Sequence, residues 1–188
     1  ETNMKFTVNY LGKSATFEKK VSLEDLIPEN DPNKKEYICA KVNHRLRELT
    51  YEIYYDCDVE FLTVADHEGM KIYEASLRYV VAMAFHECYP TLKIRFAYNV
   101  SIHLLDPHTV STTAMLIKIN HEIEKIVKAD YKLKRMVVSN EEAADIYKKK
   151  GYQDKLDILS YRPEKTVHLY ECNGFLDYMY SHLVPSTG

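Results

Sequence analysis

One apolar stretch, from Met70 to Tyr89 between Gly69 and Pro90, limits the folds open to this chain more than any other segment. Ile72, Tyr73, Leu77, Val80, Val81, Met83, Ala84 and Phe85 cover most of a helical circumference instead of one stripe. A helix apolar on so many sides has to be buried on more than one of them. The fold must therefore supply packing partners on both sides of it, and Pro90 closes it. Lys71, Glu74, Arg78 and Glu87 interrupt this stretch, and no uninterrupted apolar run in the chain reaches the roughly 20 residues of a membrane span, so no membrane partner is expected.

The segments before the helix read as strands. Phe6, Val8 and Tyr10 alternate with polar residues from Met4 to Tyr10, and Leu11-Gly12-Lys13-Ser14 is a turn into a second strand, Ala15 to Val21. Ser22 is a natural N-cap for a short helix through Ile27, which Pro28 ends. Tyr37 to Val42, a tight turn at Asn43-His44, Arg45 to Leu49, and Cys57 to Val64 complete the set. Hairpin, helix, then further strands is the order of a small β-grasp domain.

Beyond the apolar helix, Leu92 to Val100 alternates as a strand, and Ser101 to Leu105 extends it or pairs with it. Ser111 or Thr112 caps a helix with Leu116, Ile119, Ile123 and Ile126 on one stripe. Tyr131 to Val138 is a strand, Ser139-Asn140-Glu141-Glu142 opens a capped helix, and Gly151 ends it. A short helix over Asp154 to Ser160 and a strand pair around Cys172-Asn173-Gly174 close the chain. The class is α+β, with a boundary expected across Ala65 to Gly69.

Cys39, Cys57, Cys88 and Cys172 form no C-x-x-C pair, so they read as reduced core thiols of a cytoplasmic chain. The net charge of −3 gives no general attraction to nucleic acid. There are 16 tyrosines and no tryptophan, with clusters at Tyr51, Tyr54 and Tyr55 and at Tyr178 and Tyr180. Packing on sheet faces is favoured over base stacking for them.

From Ala40 to Pro90, the runs AKVNHRLREL and YYDCDVEFLTVADHEGMKIYEASLRYVVAMAFHECYP resemble threonyl-tRNA synthetase. The resemblance implies a TGS (ubiquitin-like β-grasp) domain over residues 1–64. Residues 65–188 would be an α/β two-layer domain like the threonyl- and alanyl-tRNA synthetase editing domain. In that family the long helix begins with an H-x-x-x-H pair; here Ala75 and Tyr79 stand at those places. A methyl group and a phenol do not bind zinc in the usual way. The family's later cysteine and histidine would fall between Tyr178 and Leu183, where only His182 remains.

A TGS domain joined to an editing-like domain without its histidines also resembles the N-terminal half of bacterial uridine (nucleoside) kinases. Leu183 to Gly188 then fits a linker toward a C-terminal kinase domain, which would be the partner and would bring ATP and magnesium. The kinase is not in this sequence: no G-x-x-x-x-G-K-[ST] occurs, and Gly12-Lys13 lies on a turn.

The expected function is thus a non-catalytic regulatory or ligand-binding region of such a kinase. The alternatives are an RNA- or tRNA-binding module, or a remnant editing hydrolase using Cys172 and His182. No catalytic residue, metal site or cofactor is assigned. The ligand candidates are Tyr73, Arg78, Tyr79 and His182, a set suited to a nucleotide or another small ligand. Lys41, Arg45 and Arg47 are the RNA-contact candidates, with Lys132, Lys134 and Arg135, and Lys148 to Lys150, as further basic clusters.

Overall fold

The computed structural model describes residues 4–96, 102–105 and 111–188. The expected strand through Val100 and the start of its partner at Ser101 fall wholly or partly outside them. The class is α+β: the described residues form several small sheets and four α-helices. The chain divides into unit 1, residues 1–131 with 181–188, and unit 2, residues 132–180.

Two-residue turns build the main sheet of unit 1. β1 (Phe6–Tyr10) turns through Leu11 and Gly12, at φ 49° and 72°, into β2 (Lys13–Phe17). Left-handed values at both turn residues match the twist of a tight hairpin. The second strand stops at Phe17, which packs on Phe6, instead of running on to Val21. Glu18, Lys19 and Lys20 are exposed, and β3 (Val21–Ser22) belongs to a separate pair. The Ser22 hydroxyl accepts the Asp25 N–H at 3.2 Å and opens one 3-10 turn, Glu24–Leu26, in place of the expected short α-helix.

β4 (Cys39–Val42) turns through Asn43 and His44, at φ 48° and 69°, into β5 (Arg45–Glu48). β6 (Glu52–Ile53) pairs with β3. β7 (Cys57–Leu62) runs parallel to β1 and antiparallel to β4, giving the order β2-β1-β7-β4-β5. Directly paired residues share a face. One face carries Phe6, Val8, Tyr10, Ala40, Val42 and Val59 and is closed by Leu23, Leu26, Leu49 and Ile53. The other carries Cys39 and Leu62, which pack on Ile72.

Ile72 belongs to α1 (His67–Cys88), the apolar helix expected from the sequence. Ile72, Ala75, Ser76, Tyr79, Val80, Met83, Ala84 and Phe85 are buried. The burial is not complete: Tyr73 and Leu77 remain 46% and 43% exposed. β8 (Ile94–Phe96) pairs antiparallel with β9 (Ile102–Leu104). The Thr112 hydroxyl accepts the Met115 N–H at 3.2 Å and caps α2 (Thr113–Ala129). Ile119 and Ile126 are buried, but Leu116 is exposed. It borders a shallow hollow of about 250 Å³ with Phe85, Ile102 and Ile119, so the buried stripe is one turn shorter than expected.

The segment expected as a linker is docked within unit 1. Glu48, a buried carboxylate, accepts the Leu183 N–H at 3.2 Å, and Leu183 is fully buried. The Val184 N–H donates to the Ser76 hydroxyl at 2.9 Å. The Thr187 hydroxyl accepts from Tyr131 N–H at 2.9 Å and donates to the Ile126 carbonyl at 2.7 Å. A buried acceptor left without donors is costly, and the closing segment supplies one to Glu48.

Unit 2 is an antiparallel sheet with two helices. β10 (Lys134–Ser139) leads through Ser139 into α3 (Asn140–Lys150), and the capping box between Ser139 and Glu142 is complete. Gly151, at φ 73°, ends that helix. α4 (Gln153–Leu159) follows, then β11 (Thr166–Cys172) and β12 (Phe175–Tyr178), in the sheet order β10-β11-β12. Ala143, Tyr147, Leu159, Val167, Leu169 and Leu176 form its core.

The thiols follow from this packing. Burial pushes Cys39 up to about 12, with the Glu68 charge adding, and pushes Cys57 and Cys172 up to about 11. Since the thiolate is the reactive form, all three stay protonated at pH 8. Only Cys88 is part-exposed. A pulse of iodoacetamide on the native protein at pH 8, read by mass spectrometry, should label Cys88 first. The other three should react only in denaturant.

Candidate functional site

The entry to α1 is fixed by a reciprocal lock. Asp66 Oδ2 accepts the Thr63 N–H at 2.9 Å, and the Asp66 N–H donates to the Thr63 carbonyl at 3.1 Å. Gly69 lies so close to Thr63 that a Cβ would stand 2.0 Å from that carbonyl oxygen. This seats the first turn and sets the rotation of the helix. Ala75 and Tyr79 then point inward, at 5% and 1% exposure. They are interior packing groups.

The four candidate ligand residues do not converge. Tyr73 lines a cavity of about 440 Å³ in unit 1, together with Ser76, Leu77 and Val80 on the same face of α1. At ~100° per residue, Arg78 and Tyr79 fall away from that face, and neither lines the cavity. His182 Nδ1 sits 3.3 Å from Glu48 Oε1, and its neighbour Leu183 donates to the same oxygen. Its imidazole is thereby part of the clasp that holds the closing segment. Cys172, the other residue of the hydrolase reading, is fully buried in β11 with its thiol protonated. Among the described residues no group of three His, Cys, Asp or Glu side chains is arranged to hold a metal ion.

Lys41, Arg45 and Arg47 are divided between the two faces of the sheet. The register pairs Lys41 with Leu46, Val42 with Arg45 and Ala40 with Arg47. Lys41 is on the α1 side, 3.1 Å from Glu68, whose hydrogen bond and, after it, charge hold the ammonium above its ordinary range. Arg47 lies 4.6 Å over the Tyr51 ring, and its Nε is buried without a hydrogen-bond partner. Three cations on opposite sides of one sheet do not form a single phosphate track.

A denser aromatic and basic cluster occurs in unit 2. Lys155 bonds Asp177 at 2.6 Å and lies 4.9 Å from the Tyr152 ring centroid and 6.0 Å from that of Tyr147. The Arg162 guanidinium sits 4.6 Å over Tyr178, which meets Tyr180 edge-on at 4.6 Å. Arg162 Nε is 3.5 Å from Glu164, too long for a hydrogen bond. That nitrogen and the Tyr178 hydroxyl are both buried without a hydrogen-bond partner. Burial drives the Tyr178 phenol upward, so it stays protonated at neutral pH. Tyr161 and Tyr180 stand 88% and 87% exposed beside this cluster in sequence. The sequence does hold a signal for it: six tyrosines, Lys155 and Arg162 fall within the stretch from Tyr147 to Tyr180. The sheet-packing reading of tyrosine hides it.

No protein-family model matches the chain. Similar proteins are nevertheless found. The threonine–tRNA ligase of Caldanaerobacter subterraneus subsp. tengcongensis is 30% identical over 182 residues, covering 94% of this chain and 28% of the ligase. That of Desulforamulus reducens is 32% identical over 158 residues, covering 82% of this chain and 25% of the ligase. That of Clostridium botulinum is 29% identical over 182 residues, covering 94% and 29%. The chain is thus threonyl-tRNA synthetase-like over most of its length, and spans between 25% and 29% of the length of these relatives.

Proposed function

We propose that this chain is a threonyl-tRNA synthetase-like module that binds the single-stranded end of a transfer RNA through unit 2, with no hydrolytic chemistry at α1. The observation that carries the reading is the similarity to threonine–tRNA ligases over 94% of the chain. The aromatic and basic cluster of unit 2 supports the contact: exposed rings offer faces for unpaired bases, and an arginine suits a phosphate. The buried Ala75 and Tyr79 support the lack of hydrolysis. The TGS-like β-grasp reading of residues 1–64 is supported by the parallel β1–β7 pair between two hairpins. On the same reading, residues 65–188 descend from the editing-like domain. The uridine kinase reading, with its ATP, magnesium and kinase partner, takes no support from these relatives.

Fluorescence anisotropy with a labelled tRNA through a salt series tests the proposal. Affinity should fall log-linearly with salt, as phosphate contacts require. Tyr161→Ala and Tyr180→Ala, both exposed and harmless to the core, should each weaken binding at least about tenfold, in line with stacking of ~1–3 kcal/mol per base. Lys41→Ala should change little, and mischarged tRNA should stay charged. A salt-independent response, or tyrosine variants that bind like the parent chain, would reject the RNA reading.

A further inference from the structure

The cavity beside α1 belongs wholly to unit 1 and uses none of the residues invoked for RNA. Its walls are α1, the C-terminal half of α2, the loop before β4 and the closing segment. Three large apolar residues that α1 and α2 leave open line it: Tyr73 at 46%, Leu77 at 43% and Val127 at 42% exposure. Ile38, Val80 and Ile123 deepen the same wall. A volume of about 440 Å³ is that of a small-molecule pocket, ~300–1,000 Å³.

The polar groups of the cavity decide what would fit. The Ser76 hydroxyl donates to the Ile72 carbonyl at 2.7 Å and accepts from Val184. The Thr187 hydroxyl donates to the Ile126 carbonyl and accepts from Tyr131. Both donor hydrogens are engaged within the protein. Neither hydroxyl has a donor left for a nucleobase, which needs several hydrogen bonds to offset its desolvation. Charge lies in the loop before β4, on Lys34 and Lys35, with Glu24 the one acidic lining residue. Lys34 is bound to Glu29 at 2.6 Å, while Lys35 is exposed and has no acidic partner among the described residues.

From this arrangement we infer that the cavity is a binding site for an apolar carboxylate, its hydrocarbon body on Leu77, Val80 and Val127 and its anionic head at Lys35. The ligand would lie against Val184 to Gly188, so occupancy holds the closing segment down. The inference does not depend on RNA binding, and the two can fail separately.

The test is titration of the ¹⁵N-labelled chain with decanoate, followed by amide chemical shifts. Saturable shifts at Ser76, Leu77, Val184 and Thr187 are expected. Leu77→Glu should weaken binding at least tenfold. Val127→Glu should do the same and guards against a folding defect in the first variant. Lys35→Glu should weaken decanoate several-fold and leave decanol unaffected. The absence of saturable shifts, or decanoate binding unchanged in Leu77→Glu and Val127→Glu, overturns the site. Equal loss of decanol and decanoate in Lys35→Glu overturns the carboxylate. If the apolar variants change only the oligomeric state, the patch is an interface between copies and the small-ligand inference falls.

Discussion

Gly69→Ala should be the most damaging single-methyl change in the chain, with a loss of at least about 3 kcal/mol. The added carbon would stand 2.0 Å from the Thr63 oxygen and 2.8 Å from its carbonyl carbon. Both are backbone atoms, tied down by the Thr63–Asp66 pair of hydrogen bonds, so no side chain can swing away to make room. The first turn of α1 would have to lift, taking Ile72 from its place against Cys39 and Leu62. For a chain of this size that loss is about 6–12 °C in melting temperature. Gly12→Ala is the control. Its φ of 72° disfavours a side chain, but the space around it is open, so the expected cost is about 1 kcal/mol. Denaturant midpoints of the two variants measure the difference. A Gly69→Ala chain as stable as Gly12→Ala would mean that the helix entry is not held as described.

Tyr79→Ala should follow closely, at about 3–5 kcal/mol, the range for deleting a large buried aromatic side chain. Tyr79 is among the largest fully buried side chains, in the middle of α1. Tyr79→Phe keeps the ring and should recover more than half of that loss, because filled volume is the main contribution. Chemical denaturation of both variants is sufficient. The result bears on function as well as stability. If Tyr79→Ala were neutral, position 79 would be an open site residue and the packing description of α1 would be wrong.

Local chemistry carries most of what the sequence makes legible. Ser139 and Glu142 announce their capping box, Gly151 its helix end, and Cys172-Asn173-Gly174 its hairpin, because each depends on neighbours within a few residues. The α+β class follows from the same local periods. The division of Lys41 from Arg45 and Arg47 was also within reach. A two-residue turn at Asn43-His44 fixes Val42 opposite Arg45, and alternation then sends Lys41 to the other face. Other features depend on distant partners and leave no local trace. Nothing near Glu48 says that its carboxylate will meet Leu183, 135 positions away. Nothing near Tyr131 marks the point where unit 1 hands the chain to unit 2. The candidate ligand set fails for a related reason. Tyr73, Arg78 and Tyr79 are close in sequence, but a helix directs them to different sides.

The clasp of residues 181–188 also sets an order of events during synthesis. Residues 1–131 leave the ribosome before the strip that fastens Glu48, Ser76 and Tyr131 has been translated. Unit 2 emerges during that interval, so the earlier-made part has to wait with its seam unsewn until residues 181–188 have been translated.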